Sequence, residues 1–252
     1  MTEARIHGYL VLAMFVLAVV SFIALLRVAA PYGRFLRPGW GPTLPARAGW
    51  ILMESPAVIL FIVVYALGTK AAAEAPMVLL ALWQLHYINR TLVYPFRLRG
   101  TGNRMPLVIA LMALLFNCLN AYINARWISH FGAYPDTWLS DPAFISGAVL
   151  FLCGWTINQQ SDTILIRLRR PGDTGYRIPE GGLYRWVSCP NYLGEMLAWT
   201  GWAIATWSLA GLAFAVFTTA NLLPRALANH SWYRQTFPDY PASRRALLPF
   251  LL

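Results

Sequence analysis

The sequence predicts an all-α integral membrane protein with seven transmembrane helices, its N-terminus outside and its C-terminus in the cytoplasm. Three observations predict it. First, 58% of the 252 residues are hydrophobic and only 12% are charged, with a mean hydropathy of +0.50, whereas a soluble domain is usually about 25% charged. Second, apolar stretches of roughly 20 residues, enough to cross a hydrocarbon core of about 30 Å, recur along the whole chain. Third, arginines are dense in alternate loops and sparse in the others. Residues 1–252 therefore read as a single membrane domain.

The stretches fall at 8–30, 50–68, 76–96, 106–128, 142–166, 191–209 and 211–230. The first could be mistaken for a secretory leader, but its apolar run is longer than a typical h-region and no clear small-residue cleavage site follows, so it is expected to remain as an anchor. The loops set the orientation. Arg34, Arg37 and Arg47 lie in 31–49; Arg97, Arg99 and Arg104 in 97–104; Arg167, Arg169, Arg170, Arg177 and Arg185 in 167–190; and Arg234, Arg244 and Arg245 in the tail. The connections 69–75, 129–141 and around 210 carry Lys70 and no arginine. By the positive-inside rule the first, third and fifth loops and the C-terminus are cytoplasmic. The preference for Arg over Lys hints at a GC-rich bacterial genome, and a bacterial inner membrane is the expected location.

Several function classes are disfavoured at this stage. The net charge of +10 is spread over topology-setting loops instead of gathered on a polar module, so nucleic acid is not an expected partner. Cys118, Cys153 and Cys189 are odd in number and scattered, which supports neither a disulfide framework nor a zinc site, and no metal is expected. The fragment "GTGNR" at 100–104 lacks the third glycine of a dinucleotide fingerprint, and no Walker A pattern occurs.

Charged and strongly polar groups inside spans are costly, about 2.5–3.5 kcal/mol for a charge at a helix centre, so they face the bundle interior. Here they cluster. Glu54 lies in the second span; Gln84, His86, Tyr87, Asn89, Arg90 and Tyr94 in the third; Asn158, Gln159, Gln160 and Asp162 in the fifth; and Asn191, Glu195, Asn221, Arg225, Asn229 and Tyr233 in the last two. Residues three, four or seven apart share a helix face. Tyr87 and Tyr94 do so, as do Asn158, Asp162 and Arg169, Asn191 and Glu195, and the run Asn221, Arg225, Asn229, Tyr233. Each run lies toward the cytoplasmic end of its helix, which predicts a polar pocket open to the cytosol. A lone buried amide is equally well ordinary packing glue worth about 0.6 kcal/mol, and His86, His130 and His230 read as packed histidines, since no second ligand stands at metal spacing.

The segment 167–191, "RLRRPGDTGYRIPEGGLYRWVSCPN", is a turn-rich basic strap. Guanidinium groups hold phosphates bidentately, so a phosphorylated ligand is expected there.

The stretch "INQQSDTILIRLRRPGDTGYRIPEGGLYRWVSCPNYLGEMLAWTGWAIATWS" and the closing "FPDYPASRRALLPF" resemble the C-terminal half of the steroid 5α-reductases. In the first half "PYGR", "RAGWILMESP" and "HYINRTLVYPF" resemble the same family in the same order. The resemblance covers nearly the whole chain. It implies a seven-helix enzyme that uses NADPH to reduce the Δ4 double bond of a 3-oxo-Δ4-steroid such as testosterone or progesterone; a monomer is expected, with the cofactor site facing the cytoplasm as the arginine loops predict. It implies that Glu54 and Tyr87 hydrogen-bond the substrate ketone and that residues 1–130 form mainly the steroid pocket. Within 142–252, the mainly cofactor-binding half, it assigns Asn158, Asp162, Arg169, Tyr176, Arg177, Asn191, Glu195 and Tyr233 to NADPH. Tyr32, Tyr94, Arg99 and Arg225 are further contributors, and Arg244 supports the cofactor lid. Trp50 and Trp199 match aromatic residues near the steroid and nicotinamide. Two positions depart from the family pattern. Met53 stands where many relatives have Gln, and Asn229 where His is common.

Hydride addition to an enone drives electrons onto the C3 oxygen, so donors fixed at that oxygen stabilise the product enolate. A neutral acid costs less in an apolar setting than a charged one and can donate a hydrogen bond, which accounts for Glu54 within a span. C4 is then protonated by solvent or through Tyr87. Three other readings stay open at this point: an enoyl or other sterol double-bond reductase on the same scaffold, an isoprenylcysteine-type methyltransferase, and a transporter-like bundle, the last without a visible inverted repeat.

Overall fold

A computed structural model describes residues 1–98, 104–168 and 175–252, and these residues form seven helical rods. Helix α1 spans Glu3–Arg27 and α2 spans Ala46–Ala66. The third rod is composite: α3 over Glu74–Ile88, a π turn over Asn89–Val93 and a short α4 over Tyr94–Arg97. Helix α5, Leu107–Arg126, continues through a second π turn at Trp127–Phe131. Helices α6 (Pro142–Leu168), α7 (Pro190–Thr206) and α8 (Leu209–Thr236) complete the bundle. Two short strands, β1 (Thr43–Pro45) and β2 (Arg104–Pro106), pair antiparallel with Leu44 opposite Met105. They tie the segment before α2 to the one before α5.

The rods stand where the apolar stretches predict them. Four segments, Glu3–Arg27, Ala46–Ala66, Leu107–Phe131 and Leu209–Thr236, are long and apolar enough to cross a membrane. Helix α7 has 17 residues, while α3 and α6 carry buried Gln84, His86, Asn158 and Asp162. Two ends differ from expectation. Helix α1 starts five residues early because Glu3 is clamped by Arg126, whose Nε and Nη2 donate to its two carboxylate oxygens at 2.6 and 2.8 Å. Helix α8 runs on to Thr236 because its polar face is still satisfied there, with Tyr233 buried beneath Arg34.

Helices α6 and α7 pack backbone against backbone. A Cβ on Gly154 would collide with the Ala198 amide and the Gly194 carbonyl, and one on Gly147 with Ala205 and Gly201. Small residues every seven positions therefore let the two helices touch, as at membrane interfaces generally. That register sets Asn158 against Gly194, and so brings the polar ends of both helices together. The core beside this pair centres on Trp83, fully buried, whose ring lies 4.3 Å from Phe61, 4.8 Å from Tyr87, 5.1 Å from Trp202 and 5.3 Å from Trp199. Its indole N–H donates to the Ala57 carbonyl at 2.8 Å, which meets the one polar need of a buried tryptophan.

After α8 the tail folds back over the strap. The Ser188 and Cys189 amides donate to the Arg245 and Ala246 carbonyls at 2.8 and 3.1 Å, and the Arg245 amide donates to Trp186 at 2.9 Å.

Candidate active site

Two polar clusters meet around α3. In the first, Glu54 of α2 and Tyr87 of α3 face α5. Asn117 Nδ2 donates to Glu54 Oε2 at 3.1 Å and to the Met53 carbonyl at 2.7 Å. Asn120 Nδ2 lies 3.5 Å from the Tyr87 hydroxyl. Tyr87 is 4% exposed and Asn120 fully buried, and Asn117 and Asn120, three apart on one face of α5, hold Glu54 and Tyr87 to the same side of that helix. Buried amides of this kind need partners, and here the partners are the two groups the sequence assigns to chemistry.

The second cluster is built on Arg90. Its Nη1 donates to Asp162 Oδ2 at 3.1 Å, and its Nε stands 3.7 Å from Glu195 Oε1. Its guanidinium lies 4.6 Å from the Trp50 ring and 4.8 Å from Tyr94, a cation–π arrangement. Asn191 Nδ2 donates to Asp162 Oδ1 at 3.2 Å, and Asn158 Nδ2 to the Asn191 carbonyl and Glu195 Oε1 at 3.1 and 3.2 Å. Glu195 Oε2 accepts from Trp199 Nε1 at 3.0 Å and lies 3.5 Å from His86 Nε2. Trp199 also joins the clusters, its ring 5.5 Å from Tyr87.

Toward the strap and tail, guanidinium groups sit in aromatic cages. Arg225 lies 4.8 Å from the Tyr32 ring and 5.2 Å from Tyr192, with hydrogen bonds to Asn221 Oδ1 at 2.9 Å and the Tyr192 hydroxyl at 3.3 Å. Asn229 Nδ2 reaches the same hydroxyl at 3.4 Å. Arg34 is enclosed by Tyr176, Trp232 and Tyr233 at 5.1, 4.4 and 4.4 Å, and donates to the Tyr233 hydroxyl at 3.1 Å. Its Nη1 is buried and has no hydrogen-bond partner among the described residues. Among the described residues no carboxylate lies at ion-pair distance from either guanidinium. Two sheltered guanidinium groups without a carboxylate partner among the described residues are chemically suited to a phosphate-bearing anion.

The fold thus unites Glu54 with Tyr87, Trp50 with Tyr94, and Asn158 with Asp162, Asn191, Glu195 and Trp199. It sets Tyr32 against Arg225, and Tyr176 and Tyr233 around Arg34. Arg244 is buried under the strap and donates to the Pro179 carbonyl at 2.9 Å. Arg177 is exposed beside Tyr176. Arg99 and Arg169 lie outside the described residues. Among the described residues no three His, Cys, Asp or Glu gather as metal ligands.

Sequence reasoning missed three groups. Asn117, Asn120 and Asn124 stand at i, i+3 and i+7 on one face of α5, a signal that was available. Arg90 was visible as a polar residue in a span but had no role attached, and nothing in its neighbourhood marks a partner 72 residues away. Arg34 read only as a topology determinant, as any loop arginine would.

Comparison with known proteins gives the family of the chain. Residues 103–252 match the family model described as 3-oxo-5-alpha-steroid 4-dehydrogenase. The chain is 45% identical over 241 residues to 3-oxo-5-alpha-steroid 4-dehydrogenase 1 of Bos taurus, covering 94% of this chain and 93% of the relative. It is 42% identical to the steroid 5-alpha-reductase DET2 of Gossypium hirsutum, covering 99% of both. It is 45% identical to the Homo sapiens 3-oxo-5-alpha-steroid 4-dehydrogenase 1, covering 87% of this chain and 85% of the relative. A match at this level across most of the chain means that the protein belongs to the 3-oxo-5-alpha-steroid 4-dehydrogenase family of oxidoreductases.

Proposed function

We propose that the protein reduces the Δ4 double bond of 3-oxo-Δ4-steroids, such as testosterone or progesterone, with NADPH. In this reading all seven rods cross the bilayer, the N-terminus is outside and the cofactor enters from the cytoplasm. The observation that carries it is the junction at α3: an acid and a phenol, Glu54 and Tyr87, held by asparagines of α5, next to an Arg90-centred cluster that joins α6 and α7. The orientation is supported by the placement of Glu54, Arg90, Asp162, Glu195 and Arg225 toward one end of the bundle, the end whose loops carry the arginines.

NADPH, when bound, supplies the hydride that adds to C5. Arg225 and Arg34 would hold its phosphates, while Asp162, Asn158, Asn191 and Glu195 offer acceptors and donors to its hydroxyls and carboxamide. The first half of the chain then supplies mainly the steroid pocket, and the half from 142 onward mainly the cofactor site. As the C4–C5 electron pair shifts toward the C3 oxygen, Tyr87 donates its phenolic proton in a hydrogen bond to that oxygen. Glu54 acts in its neutral form as the second donor. Asn117 occupies Glu54 Oε2, leaving Oε1 to carry the acid proton toward the substrate. One such donor lowers the barrier by about 2.7–4 kcal/mol. A proton from solvent or through Tyr87 completes the product at C4.

The test is single-turnover NADPH oxidation with testosterone or progesterone, using Glu54→Gln and Tyr87→Phe in detergent. Each variant should lose about 10²–10³ in rate while still binding NADPH. Wild-type turnover in either would refute the assignment.

A further inference from the structure

Behind Tyr87 runs a chain of hydrogen bonds whose direction is fixed at its far end. Trp202 is fully buried on α7, and an indole N–H can only donate. It donates to Asn124 Oδ1 at 2.8 Å. The Asn124 amide is thereby oriented with its NH2 toward Asn120, where Nδ2 donates both to the backbone carbonyl at 3.1 Å and to Oδ1 at 2.9 Å. A carbonyl can only accept, so two independent partners fix this amide the same way. Asn120 Oδ1 is consumed as an acceptor, and its Nδ2 is turned to the Tyr87 hydroxyl. Tyr87 must then accept through its oxygen, and its own proton is left pointing away from the protein's donors.

We propose that Trp202, Asn124 and Asn120 form a one-way hydrogen-bond chain that holds the Tyr87 hydroxyl as a donor toward the substrate oxygen. The three are positioning residues, and the inference rests on the reading of Tyr87 as the ketone's donor. A phenol without this bias rotates between donating to the protein and donating to substrate. With Asn120 as a donor behind it, only the second remains. Asparagines at both positions are required by this logic, because each must accept with one end and donate with the other.

The experiment compares Asn120→Asp with Asn120→Leu in the full chain. Asp presents only acceptors, so Tyr87 turns its proton inward; Leu merely removes the bias. Asn120→Asp should lose about 10²-fold in kcat, as for a lost oxyanion donor, against about fivefold for Asn120→Leu, with the steroid KM nearly constant in both. Acidification protonates the new carboxyl, which can then donate to Tyr87 again. The ratio of Asn120→Asp to wild-type turnover should therefore rise as pH falls, while the ratio for Asn120→Leu stays flat. In a Tyr87→Phe background Asn120→Asp should add less than about twofold, since contacting residues are coupled. Asn124→Asp, one link further back, forces Asn120 to turn its NH2 away from Tyr87 and should give the same kinetic and pH signature, so the test does not depend on one variant folding. Asn120→Asp as active as Asn120→Leu, additivity with Tyr87→Phe, or wild-type kcat in Asn124→Asp would overturn the chain. Wild-type turnover in Tyr87→Phe alone would instead overturn the functional reading beneath it.

Discussion

Arg90 offers the sharpest test of how the buried charges are balanced. It faces two carboxylates, Asp162 at 3.1 Å and Glu195 at 3.7 Å, and the three side chains are 15%, 5% and 11% exposed. Arg90→Met keeps a long apolar stem but leaves both acids without their cation. Removing one partner of a buried pair costs about 3–5 kcal/mol, and the contacts with Trp50 and Tyr94 add roughly 1 kcal/mol. For a chain of this length each kcal/mol moves the melting temperature by about 2–4 °C, so the expected fall is on the order of 10 °C. Thermal unfolding in detergent, followed by intrinsic tryptophan fluorescence, reads it directly. The control is Arg90→Met combined with Asp162→Asn and Glu195→Gln, which removes the uncompensated charge and should recover more than half of the loss. A shift below about 2 °C for Arg90→Met, or a triple variant no more stable than the single one, would refute the charge-balance argument.

Other expectations follow from the same contacts. Gly154→Leu should prevent α6 and α7 from meeting, because even a Cβ at this position collides with the Ala198 amide. Loss of folded protein in detergent is the expected result, and wild-type thermal stability would contradict the packing account. Arg225→Met should weaken NADPH binding about 10–100-fold, the range of a charge-assisted hydrogen bond, with turnover at saturation largely kept; an unchanged titration would remove Arg225 from the cofactor site. Cys189 is buried and its thiol is pushed up to about 12 by desolvation, against smaller opposing effects of Arg34 and Asn229. Only the thiolate reacts, so at pH 8 about one molecule in 10⁴ is competent and alkylation should rise about tenfold per pH unit. Mass spectrometry after brief iodoacetamide treatment checks this, and labelling at the rate of an exposed thiol would be the contrary outcome.

Much of the architecture was legible because lipid demands it. A span must be apolar for roughly 20 residues, so the seven rods could be placed to within a few residues. The polar exceptions were legible for the same reason: Asp162 and Glu195 are too costly in a span unless paired, and they proved to share Arg90. The identity of the partner was not legible, since Arg90 reaches them through the tertiary fold and no spacing rule links residue 90 to residue 162. The α5 asparagines were overlooked for a different reason. An amide in an apolar run reads as helix–helix glue, and its role depends on which way it is turned, which only the Trp202 indole on another helix decides. The π turns at 89–93 and 127–131 have no local signature either. They are set by what the helix must reach.

The first π turn shows what that requirement is. Consecutive residues on a helix point about 100° apart, so Tyr87 and its neighbour His86 take different polar partners even though both rings reach Trp199, at 5.5 and 4.7 Å. Tyr87 looks to Asn120 on α5, while His86 looks to Glu195 on α7. Arg90, one turn on from His86, continues toward α6 and α7, and Tyr94 must return to Trp50 on α2, where the rings meet at 5.0 Å. At the π turn over Asn89–Val93, Arg90 holds both acids while its guanidinium lies against Trp50 and Tyr94. One helix thereby serves two clusters on two of its faces. π turns of this kind gather at functional sites in general, and here the irregularity lies beside the most highly charged point in the bundle. The π turn thus stands where the ion pairs to α6 and α7 and the aromatic contacts with Trp50 and Tyr94 meet in one side chain, that of Arg90.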